Sequence, residues 1–301
     1  MRLFGVLPIL CLALPATAVE FAASVVRYEP GTGVPAAFSD PQAALGPPTR
    51  FTGSGSPFGG AVTPFQPAFA AGELVSLGSG GILELAFQRP VCDAQRPEHF
   101  GIDLLVFGNA FYSLSGSGLG TVGPAHSEPG SLEVSQDGVA WSPLAYSADT
   151  PFPTRGYQDI TEPFPTSAGQ VPAEFGIPLP PHLEPLGMTP AQLASAYGRS
   201  GGGTGVDLAA TGLPWIRFLR ITNPHPIGSG VTPEIDAVSV VSRCRQPAGP
   251  LTAADDFVMP PRSVSQLPEP GGLAVWLVMT WLAIRCGSWD SAGGRGRFRV
   301  A

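Results

Sequence analysis

Acidic side chains offer the clearest metal chemistry in this 301-residue sequence. Asp40 follows an early turn-rich segment, while Glu234 and Asp236 begin the last predicted strand. Side chains two positions apart on a strand share one face, so Glu234 and Asp236 should point the same way. Hard cations take carboxylate and carbonyl oxygens, and the three residues therefore predict a structural calcium site. The alternative is that Asp40 and Asp236 only begin turns, as Asp before Pro often does.

Other patterns that could support catalysis are weak. The glycine-rich segment 116–120 follows no clear strand and opens no helix, so it does not predict a dinucleotide site. Carboxylate pairs for glycoside hydrolysis depend on separation in space, so a secreted glycoside hydrolase stays a weaker alternative. No catalytic residue is predicted, and an enzyme is not expected. The histidines lack the spacing of a helical zinc site: His99, His126, His182 and His225.

Cys92 and Cys244 are the two cysteines left in the body of the chain once the terminal segments described below are set aside. An even pair in an exported chain predicts a disulfide. The bond would close a loop of about 150 residues and contribute ~4–5 kcal/mol in the chain-entropy model. The alternative is a pair of buried free thiols.

Short strands are the elements that would position these residues. The glycine-rich segment 78–81 and Gln-Asp-Gly at 136–138 predict hairpin turns. The run 102–107 is strongly apolar and predicts a central strand. Many short strands with turn-rich connections are typical of an all-β chain, here a β-sandwich or jelly roll. The predicted strands cover 21–28, 74–77, 82–87, 102–107, 132–134, 140–144, 215–222 and 235–241.

Residues 147–200 interrupt this pattern, because proline recurs and apolar periodicity disappears. They predict a long surface insertion with one short helix. Thr189 would cap that helix, Pro190 would occupy its first position, and Gly198 would end it. The β-sandwich domain is therefore predicted to span 19–244, with the insertion inside it.

The amino terminus carries an export signal. Arg2 precedes an apolar stretch, and the small residues Ala16 and Ala18 mark a cleavage site, which together predict a signal peptide over 1–18.

The carboxyl terminus carries a second targeting pattern after a proline- and serine-rich linker over 245–267. An apolar run, 273–284, follows a Pro-Glu-Pro motif and ends at an arginine. A helix of that length covers roughly 20 Å, which is short for a ~30 Å hydrocarbon core. Arginine beyond the run predicts a cytoplasmic tail and an external body, while the alternative is a buried core helix. The residues of the motif and its end are Pro268, Glu269, Pro270 and Arg285.

The segment 268–301 resembles the PEP-CTERM sorting signal of bacterial surface proteins. That resemblance implies membrane anchoring and processing by an exosortase-type protease. The body resembles the galactose-binding-like, discoidin-type jelly rolls of such proteins, which implies an extracellular β-sandwich of carbohydrate-binding ancestry. Gly108 departs from the pattern, where an acidic residue is expected before Asn109. The segments that carry the second resemblance are DPQAALG at 40–46, VSLGSGGILELAF at 75–87, 102–111 with 128–141, and 203–236.

Composition limits the partners. A sequence pI near 5.1 and the lack of a basic stripe argue against nucleic acid. The expectation is an exported, surface-anchored, non-catalytic protein with an interaction or structural role in the envelope or extracellular matrix. A calcium-dependent carbohydrate-binding module is the alternative, in which loop aromatics would stack on extracellular polysaccharide. The aromatic candidates are Phe58, Phe65, Tyr112, Phe152 and Tyr157.

Overall fold

The computed structural model describes residues 19–117, 120–149 and 152–244. Within these ranges the chain is all-β, with antiparallel sheets and few helices, as the sequence predicted. No helix in them is long and apolar enough to cross a membrane. The signal peptide 1–18, the linker 245–267 and the sorting segment 268–301, with Pro268, Glu269, Pro270 and Arg285, lie outside the described residues.

In chain order, the strands are β1 (Glu20–Phe21), β2 (Ser24–Glu29), β3 (Phe51–Thr52), β4 (Gly60–Ala61), β5 (Val75–Ser76), β6 (Ile82–Cys92), β7 (Leu104–Gly108), β8 (Phe111–Ser115), β9 (Thr121–His126), β10 (Gly130–Ser135), β11 (Ser142–Ala148), β12 (Thr204–Val206), β13 (Trp215–Thr222) and β14 (Glu234–Val240), and the α-helix α1 is Pro190–Tyr197.

Two five-stranded sheets form the body. Sheet A has the order β1-β14-β7-β12, and β5 pairs with the start of β14 on the same side as β1. Sheet B has the order β11-β10-β13-β6-β2. Their facing side chains form one buried apolar core, so the architecture is that of a β-sandwich. Its members include Leu104, Val106, Ile235 and Val238 from sheet A and Leu83, Leu85, Leu132, Val134, Leu219 and Ile221 from sheet B.

The outer face of sheet A is also apolar. Leu105 and Phe107 alternate with the inward residues of β7 and join a separate buried cluster with Phe175 of the insertion. The Phe107 and Phe175 rings meet edge to face with centroids 5.2 Å apart. The Arg50 guanidinium lies over the Phe175 ring, 4.1 Å from its centroid. Strand β7 is therefore buried on both faces, as its continuous apolar sequence predicted.

The segment 147–200 is less superficial than the sequence predicted. Several of its side chains form a second core against the β8–β9 hairpin and Phe65. The Arg155 side chain is buried and donates hydrogen bonds to the carbonyl oxygens of Ala194 and Gly198 at the end of α1. The insertion is thus a packed layer. Its members in this second core are Phe152, Leu179, Leu193 and Tyr197.

Helix α1 agrees with the prediction. The Thr189 hydroxyl accepts the N–H of Gln192 at 3.2 Å, and the Gln192 side chain accepts the N–H of Thr189 at 2.8 Å. This reciprocal capping box fixes the start of the helix. Gly198 follows the last helical residue with a φ of +55°, which ends it.

The two predicted hairpins have different outcomes. Strands β10 and β11 pair across the Gln-Asp-Gly turn, where the Asp137 carboxylate accepts the N–H groups of Val139 and Ala140. The hairpin predicted across 78–81 is wrong, because β5 pairs with β14 in sheet A while β6 pairs with β13 and β2 in sheet B. The glycine turn instead carries the chain from one sheet to the other.

The cysteine prediction is confirmed by the geometry. The sulfur atoms of Cys92 and Cys244 lie at disulfide distance, 2.05 Å, and the residues are 152 positions apart. The bond joins the end of β6 to the segment after β14, so it connects the two sheets. Backbone contacts lie beside it, since the Cys92 N–H donates to the Ser242 carbonyl at 3.1 Å.

Removing this disulfide should destabilise the fold. In the double variant Cys92→Ser, Cys244→Ser the unfolded chain regains the freedom of a long loop, so we expect a loss of roughly 2–5 kcal/mol. Chemical denaturation with and without reductant measures it. The parent chain should shift on reduction while the double variant should not. Equal midpoints for the oxidised parent and the variant would contradict a stabilising bond.

Candidate functional site

The three predicted calcium ligands occupy separate settings. Asp40 caps a 3₁₀ turn, Pro41–Ala44, and its carboxylate accepts the Gln42 N–H at 3.0 Å. The buried Asp236 carboxylate accepts the N–H of Thr49 at 2.9 Å and its hydroxyl at 3.1 Å. Each carboxylate therefore has a structural partner within the protein.

Glu234 completes the predicted set at the start of β14. Its carboxylate accepts the Ser76 hydroxyl at 2.8 Å and the side-chain amide of Asn109. A register irregularity between Ile235 and Ala237 breaks the period-two geometry assumed for this strand. The structure does not gather Asp40, Glu234 and Asp236 into one group with ligand atoms within 4.8 Å of one another.

Glu234 instead belongs to a cluster of three acids at one end of the sandwich, with Glu128 and Asp149. The Asp149 carboxylate accepts the N–H of Ala110 at 2.7 Å and the N–H of Glu128 at 3.3 Å. The Glu128 carboxylate accepts the Thr232 N–H at 3.1 Å. We call these residues the carboxylate cluster. Main-chain donors from several loops converge on it, so it ties this end of the sandwich together.

The absence of a side chain at Gly108 leaves space for the carboxylate cluster. A Cβ atom at this position would collide with the Asp149 carboxylate and with the main-chain oxygen of Glu234. Position 108, where the resemblance led us to expect an acidic side chain, therefore has none. Asp149, in the turn after β11, places its carboxylate there instead. Asp149 has a positive φ of 58°, which is uncommon for a residue with a side chain.

Burial dominates the ionisation of these acids. It raises the pKa of Glu234 to about 7, with a further contribution from the charge of Glu128. It raises the pKa of Asp149 well above its usual range, although the N–H donors of Ala110 and Glu128 oppose the shift. It also raises the pKa of Asp236 to about 8 against the opposing hydrogen bonds from Thr49. These carboxyl groups retain protons at a pH where most carboxylates are ionised.

Stability should therefore fall as pH rises from 5 to 8.5. A carboxyl group with a raised folded-state pKa contributes stability at low pH and loses it as pH rises through the folded value. The window runs from ordinary values of 4.5 for Glu234 and 3.8 for Asp236 up to about 7 and about 8. At ~1.4 kcal/mol per pKa unit, we expect at least ~2 kcal/mol less stability and a Tm roughly 4–8 °C lower at pH 8.5.

Thermal unfolding at both pH values, in chelator, measures this dependence. Asp236→Asn keeps an oxygen acceptor for Thr49 but cannot ionise, so its profile should be flatter than that of the parent. Asp40→Asn is the matched control, because Asp40 is exposed and its profile should follow the parent. A Tm that rises between pH 5 and pH 8.5 would contradict the assignment of burial as the dominant effect.

A second acidic group lies at a different position. Among the described residues, Asp93, Asp103 and Asp207 are the group whose carboxylate oxygens all lie within 4.8 Å of one another. We call it the aspartate group. Asp103 is fully buried and accepts the N–H groups of Ala94 and Leu208, both at 3.0 Å. Burial raises its pKa to about 6.

The aspartate group adjoins a cleft of about 430 Å³. We call it the edge cleft, because it lies where β11, the edge of sheet B, approaches β12, the edge of sheet A. Its walls come from 145–147, from 203–205, from the loop with Phe100, and from Leu179 and Pro181 of the insertion, and Asp207 lies in the lining. This volume is within the ~300–1,000 Å³ typical of small-molecule sites.

Most of the predicted aromatic platforms are wrong. Phe65, Tyr112 and Phe152 are buried in the second core and at most 8% exposed, so they are not the exposed loop aromatics that were predicted. Tyr157 is half-buried, and Phe58 is exposed over 52% of its surface. The aromatic residues at the edge cleft are instead Phe100, which is 42% exposed, and the half-buried Tyr146, with Phe152 behind them.

Sequence reasoning missed both acidic groups and the cleft. Asp103 gave one usable signal, since a charged residue just before an apolar run is seldom buried without partners. Asp149 and Asp207 gave none, because their neighbours in space come from distant parts of the chain. Comparison with protein-family models, with curated proteins and with solved structures gave no match.

Proposed function

We propose that this chain is an exported, surface-anchored, non-catalytic protein that binds a ligand or partner in the cell envelope or extracellular matrix. In this proposal the β-sandwich is a galactose-binding-like jelly roll. The segment 1–18 directs export, and 268–301 anchors the protein until an exosortase-type protease processes it. The edge cleft is the observation that favours binding over a purely structural role.

The disulfide supports the exported location. Bonds of this kind persist in oxidising compartments and are rare in the cytosol. Cys92 and Cys244 lie at disulfide distance and join the two sheets, so the fold uses the bond structurally. An oxidising environment outside the cytoplasm is therefore consistent with the export signal read from the sequence.

The settings of the acids support a non-catalytic role. The carboxylates of Asp103, Asp149 and Asp236 each accept main-chain N–H groups from other segments. Acids that hold loops in place have a structural explanation, and changing them would impair folding before it impaired any chemistry. This observation favours binding or structure over the glycoside hydrolase alternative.

Deleting 268–301 should release the protein into the medium. Without the segment, no anchor would hold the exported body, so the protein should move from the envelope fraction to the culture supernatant. Fractionation followed by immunoblotting measures the change. Replacing Pro268, Glu269 and Pro270 by alanine is the matched control, because it keeps the apolar run and should leave the protein cell-associated but unprocessed. A truncated protein that stays cell-bound would contradict anchoring.

The calcium-dependent alternative needs a ligand set that fits one ion. Asp40, Glu234 and Asp236 do not fit as a set, because they are not gathered and their oxygens accept protein hydrogen bonds. The aspartate group fits better, since its oxygens lie within 4.8 Å of one another and hard cations favour oxygen ligands. Calcium takes about 6–8 oxygens, so main-chain carbonyls or solvent would complete the shell.

In the calcium-dependent form of the proposal, the ion should raise the Tm of the parent chain relative to chelator. Binding to the folded state alone at a hundredfold excess over Kd contributes ~2.7 kcal/mol. Scanning fluorimetry with calcium, magnesium or chelator measures it. The variant Asp93→Asn should lose the shift, whereas Asp236→Asn should keep it. Identical midpoints in calcium and chelator would exclude a structural calcium ion.

A further inference from the structure

The edge cleft is lined in part by aromatic residues. Phe100 and Tyr146 line it from two different segments, the loop before β7 and the strand β11. Tyr146 also packs against the main core, which holds its ring in place. Tyr146 and Asp207 line the same cleft. Burial raises the pKa of the Tyr146 hydroxyl, and the charge of Asp207 raises it further.

The charged side chain that lines the cleft is acidic. Asp207 lines it, and no basic side chain is among the described residues of its lining. The Asp207 carboxylate accepts the N–H of Ala209 at 2.8 Å, and carboxylate oxygens of Asp93 and Asp103 lie within 4.8 Å of it. This end of the cleft is therefore negative, so it disfavours anions and attracts cations.

The backbone at Phe100 and Gly101 passes close to Asp207. Phe100 has a left-handed φ of 57°, which is unusual for a bulky aromatic residue. Gly101 follows it with a φ of 77°, and Asp207 Oδ2 is the atom nearest to where a Gly101 Cβ would lie, at 3.2 Å. The turn thus places Gly101 next to the Asp207 carboxylate, and the preceding residue, Phe100, is exposed.

We propose that the edge cleft binds an organic ammonium group, meaning a protonated or quaternary amine carried on a small, partly apolar molecule. Aromatic faces attract such cations through the ring quadrupole, and a nearby carboxylate adds charge attraction. The ammonium group could be presented by an amino sugar of a matrix polysaccharide or by a choline head group of a lipid. The inference rests on the proposed binding role and names the ligand chemistry of that role.

The test is calorimetric titration of the full-length chain in a non-ionic detergent that carries neither sugar nor choline, with chelator present. Glucosamine and choline are the cationic probes, and they distinguish the two sources. N-acetylglucosamine has nearly the same ring without the charge, and glucuronate reverses it. We expect binding of at least one cationic probe, at least tenfold weaker binding of N-acetylglucosamine, and none of glucuronate.

Two variants test the assigned groups. Asp207→Asn keeps the size of the side chain and the acceptor for the Ala209 N–H. It should weaken binding of the cationic probe at least tenfold, because it removes the negative charge. Phe100→Leu keeps an apolar side chain but removes the ring, and it should weaken binding of the cationic probe about threefold. Glu162→Gln is the charge control, because Glu162 is exposed and lies outside the cleft lining, so binding should be unchanged.

Each outcome decides the inference. Equal binding of glucosamine and N-acetylglucosamine would overturn it in favour of a neutral sugar site. No binding of either cationic probe by a folded sample would overturn it outright. Binding that Asp207→Asn leaves unchanged would place the site elsewhere. Fractionation and retention at the cell surface test the proposed function separately, so an anchored protein that ignores amines would fail only this inference.

Discussion

Strands β7 and β14 pair in the middle of sheet A and carry apolar side chains on both faces. The inner face is covered by sheet B, as in any sandwich. The outer face, with Phe107 and Leu105, would expose a large apolar surface without a second cover. Phe175 and its neighbours in the insertion supply that cover. The long insertion is therefore required, because the apolar outer face of the central strands needs a cover.

The same constraint produces the cleft. The insertion lies across the outer face of sheet A and contributes Leu179 and Pro181 to the cleft wall. Sheet B ends at β11, which does not pair with β12. The space between the two edge strands and the insertion is therefore left open. The proposed binding surface is a consequence of how two sheets and one covering layer meet at an edge.

The sequence predicted most of the local structure and little of the long-range arrangement. The Thr189 cap of α1, the Asp137 turn and the central apolar strand follow from local chemistry, and all three are present. The false hairpin at 78–81 shows the limit, because a glycine turn permits either a return or a crossing between sheets. The choice depends on partners far along the chain, such as β13 and β14.

The candidate site shows that limit more strongly. Period-two geometry predicted that Glu234 and Asp236 share one face of the strand. An irregularity in β14 breaks that period, and the two carboxylates accept hydrogen bonds from different donors, Ser76 and Thr49. The carboxylate cluster depends on Gly108 leaving room for Asp149, which follows β11, the edge strand of the other sheet. Contacts between residues that are far apart in the chain leave no periodic pattern in the sequence, so they are seen only in the folded structure.

The position of the disulfide has a mechanical consequence. Cys244 lies shortly after β14, and Cys92 ends β6, which pairs with β13 on one side and β2 on the other. Tension applied to the chain beyond Cys244 would pass through the sulfur bridge into β6, bypassing the hydrogen bonds of β14. The load would then be shared among strands in the interior of sheet B. With the disulfide intact, a domain under tension would keep β14 paired, and the core beneath that strand would stay packed. With the disulfide reduced, β14 would be the first strand to detach.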